Sequence, residues 1–193
     1  SQYERPHLDY DTEEGNVERA YGVEDEIKID DLTLSEGLIV MQATAQDQSD
    51  MMVLYFFANE AEKQVTIPAG VYPINRSLMA GSVLASTGAN EDNTVSPSIY
   101  ATLTDGYLEQ LYFMVDGEVV VENKNGYLRV EVNAVNSYGV PVHIVYDGTP
   151  VNTAVENTHS QSPMTHSHKM LRNGRLLIMR NGAIYDITGA TVK

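Results

Sequence analysis

From Asp25 to Gly148 apolar and polar residues trade places with a period of two, the repeat of a strand with one buried face. Glu26–Asp30 alternates in this way, and Leu128, Val130, Val132 and Ala134 alternate with Arg129, Glu131 and Asn133. Strands are expected at Gly37–Ala45, Gln64–Ile67, Val71–Ile74, Ser82–Ala85, Ile99–Leu103, Tyr107–Val115, Val119–Glu122 and Val140–Tyr146. Met51–Ala58 is apolar at every position except the Tyr55 hydroxyl, which marks a central strand covered on both sides. Pro73 inside Val71–Ile74 lacks an N–H and argues for a bulge or an edge there. Asn125-Gly126 is a two-residue hairpin signal, since both residues accept positive φ.

Many short strands joined by Gly, Pro and Asn turns point to an all-β fold. An antiparallel β-sandwich is the preferred architecture and a lipocalin-like β-barrel the alternative. The organisation expected is an acidic N-terminal arm over 1–24, a main β domain over 25–148, a linker over 149–168 and a small C-terminal β-meander over 169–193. The arm should be extended and docked by Tyr3, Tyr10 and Tyr21, with one short helix over Glu13–Tyr21. The meander follows from Asn173-Gly174 and Asn181-Gly182, which bracket Arg175–Arg180. A unit of that size cannot bury a core alone and should pack on something larger.

Charge narrows the partners. The 193 residues carry 12 basic and 27 acidic side chains, a net −15. Eleven of the acids fall in residues 1–31 against three bases, so that stretch alone carries −8. Such a surface repels phosphate and argues against nucleic acid or an anionic membrane as partner. No apolar run approaches the length of a membrane span. With no cysteine, disulfides, thiolate catalysis and Cys-based zinc are excluded. The chain beginning at Ser1 is expected to be a mature or trimmed form, with any targeting segment removed before Ser1.

Catalytic motifs do not assemble. There is no Gly-x-Ser-x-Gly elbow, phosphate loop or dinucleotide fingerprint. The paired acids of the arm read as a solvated face, since a glycosidase pair needs a rigid cleft. Asp9–Gly15 is rich in acids but lacks the glycine and the late glutamate of an EF-hand loop. His159, His166 and His168 are weak metal candidates: the last two share a face of an extended segment, but a third ligand and an ordered outer shell are not evident. No cofactor is expected. Tyr100, Tyr107, Tyr112 and Tyr138 are candidates for a ligand surface, each offering a flat apolar face and a polar tip.

The tail Arg172-Asn-Gly-Arg-Leu-Leu-Ile-Met-Arg-Asn-Gly-Ala-Ile-Tyr-Asp-Ile-Thr-Gly-Ala-Thr-Val-Lys193, with its glycine turns and final Val-Lys, resembles the terminal segment of exported and surface β-domain proteins of Bacteroidales. Gly117–Glu122 and Tyr127–Gly148 look like a β domain of the same group. The resemblance implies an extracytoplasmic address, secreted or at the outer-membrane surface, and carries no catalytic residues. Together these readings suggest a non-catalytic module that binds a protein or glycan partner. The alternatives are a small-ligand carrier with a barrel interior and an accessory or inhibitory domain of a secreted hydrolase.

Overall fold

The computed structural model describes residues 11–33, 37–58, 66–88, 97–152, 168–172, 175–180, 183–186 and 191–192. All regular structure among them is β: twelve strands form one strongly curled sheet and four form a second, C-terminal sheet. The strands of the large sheet are β1 (Val17–Tyr21), β2 (Glu26–Thr33), β3 (Leu38–Thr44), β4 (Asp50–Phe57), β5 (Gly70–Asn75) and β6 (Ser82–Leu84). They continue with β7 (Ile99–Thr104), β8 (Tyr107–Phe113), β9 (Asp116–Lys124), β10 (Tyr127–Val135), β11 (Pro141–Gly148) and β12 (Val151–Asn152).

Their order is β1-β11-β10-β9-β5-β6-β4-β3-β2-β12, with β7 also on β4 and β8 on β7. The sheet turns two corners. At one, β5 changes neighbours: Gly70–Pro73 face β9, and Ile74–Asn75 pair in parallel with β6. Pro73 stands at that hand-over. At the other, two consecutive strands bend together, because β1 runs parallel to β11 and, a few residues later, β2 runs parallel to β12. The two halves therefore oppose each other like layers of a sandwich, while backbone pairing runs around the corners as in a barrel.

Inward residues of both halves meet in one core. Ile39, Met41, Ala43, Met52, Leu54 and Phe56 from one half pack with Val119, Val121, Leu128, Val130, Val132, Val142 and Ile144 from the other. Phe56 meets Tyr72 edge-on, with ring centres 5.1 Å apart. The expectation that Met51–Ala58 is covered on both faces is borne out. Its even residues join the main core, and Met51, Val53 and Tyr55 join a second cluster with Val40, Ile99, Ala101, Leu111 and Phe113. Asn125 and Gly126 both have positive φ, at 54° and 92°, and close the β9–β10 hairpin.

Two expectations are corrected. Glu13–Tyr21 contains no helix: Gly15 takes a φ of 79°, and Val17–Tyr21 is a strand. The hydrogen bonds offered by β11 and the inward alternation of Val17, Arg19 and Tyr21 outweigh weak helix propensity, so this part of the arm belongs to the main sheet. Thr66 and Ile67 are not in a strand either. Ile67 is fully buried, and its carbonyl accepts a hydrogen bond from Asn123 Nδ2. Gln64 and Val65 lie outside the described residues.

Within the stretch read as a linker, Val151–Asn152 forms β12 and 153–167 lies outside the described residues. At the C-terminus β13 (His168–Arg172), β14 (Arg175–Arg180), β15 (Ala183–Asp186) and β16 (Thr191–Val192) pair antiparallel in chain order. Arg172 faces Arg175 and Arg180 faces Ala183, the registers of two-residue hairpins. The Asn-Gly pairs that read as those turns lie outside the described residues.

Candidate functional site

Two places on this frame hold polar or apolar groups where physical chemistry would not put them unaided. The first is a buried carboxylate. Asp50 opens β4, the most apolar strand, and is 7% exposed. Alternation turns its side chain inward with Met52 and Leu54, at the end of the main core. There it accepts hydrogen bonds from Arg19 Nε at 2.5 Å, from the Tyr21 hydroxyl at 3.0 Å and from the Tyr100 hydroxyl at 2.9 Å. Arg19 stacks on the Tyr21 ring, 4.1 Å from its centre, and donates to the Ala20 carbonyl and to Asp25. Asp25 in turn accepts from the Gly22 and Gln46 amides.

Burial raises the Tyr21 and Tyr100 hydroxyls well above the usual phenol range, and the adjoining Asp50 charge adds to it. Burial alone would lower Arg19, but the hydrogen bond and charge of Asp50 outweigh it and leave the guanidinium raised. A carboxylate taken up by three donors is a fixed acceptor. It fastens β1, β4 and β7 at one corner.

Tyr100 and Tyr112 are brought together across β7 and β8, with ring centres 5.9 Å apart, both buried. The Tyr112 hydroxyl donates to Gln110 Oε1 at 2.8 Å. Tyr107 sits at the tip of the β7–β8 hairpin, 69% exposed, and Tyr138 in the β10–β11 turn is also exposed. The four thus divide into an internal pair and two surface residues. His159 and His166 lie outside the described residues, and His168 opens β13. Among the described residues no group of three or more His, Cys, Asp or Glu is placed to hold a metal ion. No helix of the described residues is long and apolar enough to cross a membrane.

The second place is the loop between β5 and β6. Leu78 and Met79 are 62% and 69% exposed, adjacent, and held outward. Asn75 Oδ1 accepts from the Ser77 amide at 3.0 Å and from its hydroxyl at 2.7 Å. Ser77 Oγ accepts from the Met79 amide at 3.2 Å, and the Ser82 hydroxyl donates to the Met79 carbonyl at 2.6 Å. The Gly81 amide reaches the Phe57 carbonyl at 2.8 Å. Leu78 itself has a φ of 59°, the left-handed region that costs a β-carbon residue about 1 kcal/mol. The chain therefore bears backbone strain and apolar exposure at one point, in a loop fixed at both ends.

Tyr21 docks as the sequence suggests, while Tyr3 and Tyr10 lie outside the described residues. Periodicity marks neither Arg19 and Asp50 as its partners nor Leu78–Met79 as a displayed pair. One signal was available for the hub: an aspartate at the head of an all-apolar strand needs partners if it is inward. No protein-family model, curated protein or solved structure matches this chain.

Proposed function

We propose that this chain is a non-catalytic, extracytoplasmic β module that docks a partner protein through the Leu78–Met79 tip. The carrying observation is that tip: two large apolar side chains displayed by a hydrogen-bonded loop with a strained leucine. Strain in a rigid loop accompanies binding more often than chance, and a pre-ordered loop loses little entropy on docking. Leucine and methionine supply dispersion and apolar burial but no hydrogen bonds for sugar hydroxyls, so a protein partner is favoured over a glycan. The resemblance of the C-terminal tail to exported Bacteroidales proteins supports the address. A small-ligand carrier is less well supported, because Met52, Leu54 and Phe56, the side chains that would line a pocket, pack against the facing half-sheet.

The test is capture from the culture fluid and envelope of producing cells, using the full chain and its Leu78→Ser/Met79→Ser variant. The variant should keep the native circular dichroism spectrum and lose partner affinity by roughly tenfold or more, the scale of a hot-spot truncation. Equal capture of the same proteins by both forms would overturn the assignment to this tip.

A further inference from the structure

A different observation lies on the outer face of β1, β11 and β10. His143 on β11 places each ring nitrogen against a carboxylate from a neighbouring strand. Nδ1 is 2.8 Å from Glu18 Oε2 on β1, and Nε2 is 3.2 Å from Glu131 Oε1 on β10. A neutral imidazole has one N–H and one lone pair, so it can donate to only one of the two. Its other nitrogen would then turn a lone pair toward a carboxylate oxygen. Both contacts are satisfied only by the doubly protonated ring.

We infer that His143 is a proton-dependent staple that fastens the first strand of the sheet to β10 and loosens it as the medium turns alkaline. β1 is the strand that needs it. It pairs with β11 alone among the described strands, through the parallel ladder Val17–Tyr21. Arg19 and Tyr21 pin its inward side to Asp50. On the outward side Glu18 is the tie, and it reaches the sheet through His143.

The charged groups facing the ring are Glu18 and Glu131. Arg129 lies 3.7 Å from Glu131 and 3.8 Å from Asp147, so it shares Glu131 with the imidazole and continues the ladder along the face. The two acids raise His143 above its ordinary value, chiefly by accepting hydrogen bonds from its ring, Glu18 first and then Glu131, and against the opposing effect of burial. With the folded value above the unfolded one, the staple is complete below pH 6.5, the unperturbed histidine value. It fades as pH climbs from there through the folded value. Exposure of 36% for the His143 side chain and 73% for that of Glu18 lets solvent screen the pair, so the effect is local rather than global.

Two readouts on the full chain test this. The first is histidine titration by NMR, with the His143 signal assigned by its loss in His143→Gln. It should titrate above 6.5 and return toward the ordinary value in Glu18→Gln and in Glu131→Gln. The second is amide exchange at residues 17–21, corrected for the intrinsic rate. Protection should fall by roughly two- to fivefold on passing from pH 6 to pH 9, the scale of an exposed ion pair. In His143→Gln that pH-dependent part should vanish, with β9–β10 amides as the unmoved control. A His143 value at or below 6.5, or protection of β1 that does not change with pH in the native chain, overturns the inference.

Discussion

Asp50→Ala tests whether the buried hub holds the corner of the sheet. The substitution removes the acceptor of two tyrosine hydroxyls and of the Arg19 guanidinium. Each hydroxyl left without a partner in the interior costs about 1–1.5 kcal/mol. Arg19 is less exposed to loss, because its side chain is 23% solvent-accessible and still meets Asp25 and the Ala20 carbonyl. Its share is about 1–2 kcal/mol, below the 3–5 of a fully enclosed pair. The sum, about 3–5 kcal/mol, is a large part of the 5–15 kcal/mol that holds a typical domain together.

Equilibrium urea unfolding, followed by far-ultraviolet circular dichroism and tyrosine fluorescence, should show a lower midpoint with an unchanged slope. Asp50→Asn should fall between wild type and Asp50→Ala, since its carbonyl still accepts from a tyrosine while its amide opposes Arg19. A cycle with Arg19→Ala should give a coupling of about 1–3 kcal/mol. A cost under about 1 kcal/mol for Asp50→Ala would refute the reasoning, because it would mean the hydroxyls and the guanidinium find water or other partners at no loss.

Glycine positions separate strain from collision. At Gly117 a β-carbon would lie 2.1 Å from the Asn133 carbonyl oxygen, with φ at +113°, so Gly117→Ala should lower stability by about 3 kcal/mol or more in thermal unfolding. At Gly15 nothing lies within 4 Å, and Gly15→Ala should cost only the left-handed backbone, about 1 kcal/mol. Tyrosine ionisation, read by ultraviolet absorbance, should be split. Burial pushes Tyr146 up to about 12, and Tyr21, Tyr55 and Tyr100 higher still. In each the neutral form is favoured by folding, so their stabilisation is intact below the free phenol value near 10 and declines as pH rises beyond it. Unfolding should therefore accompany, and be hastened by, their release; a smooth single titration of all twelve tyrosines near 10 in the folded chain would refute it.

Most of the strand ladder was legible because it depends on a local rule. Leu128–Ala134 announces by side-chain alternation which face must leave water, Met51–Ala58 announces by its unbroken apolar run that both must, and Asn125-Gly126 announces its turn by the φ angles it tolerates. The hairpins β9–β10, β10–β11 and β13–β14 join chain neighbours, so pattern and turn suffice to pair them. What escaped was everything that links distant segments. Val17–Tyr21 is too short and too charged to declare itself, and becomes a strand because β11, more than a hundred residues on, offers its edge. Tyr100 and Tyr112 read as surface residues because a tyrosine's pattern value is the same at a rim or in a core. Their enclosure is a matter of distant partners, Asp50 accepting the Tyr100 hydroxyl and the two rings meeting each other.

Alternation and turn chemistry in this sequence determined an all-β chain and most of its strands and local hairpins, since those follow from residues within a few positions of one another. The tertiary structure alone decided which strands turn the corners, which acid is enclosed by Arg19 and two tyrosines, which leucine is strained outward, and which histidine lies between two carboxylates. Each of those is a meeting of side chains far apart in the chain, and periodicity carries no information about which distant edge a strand will find.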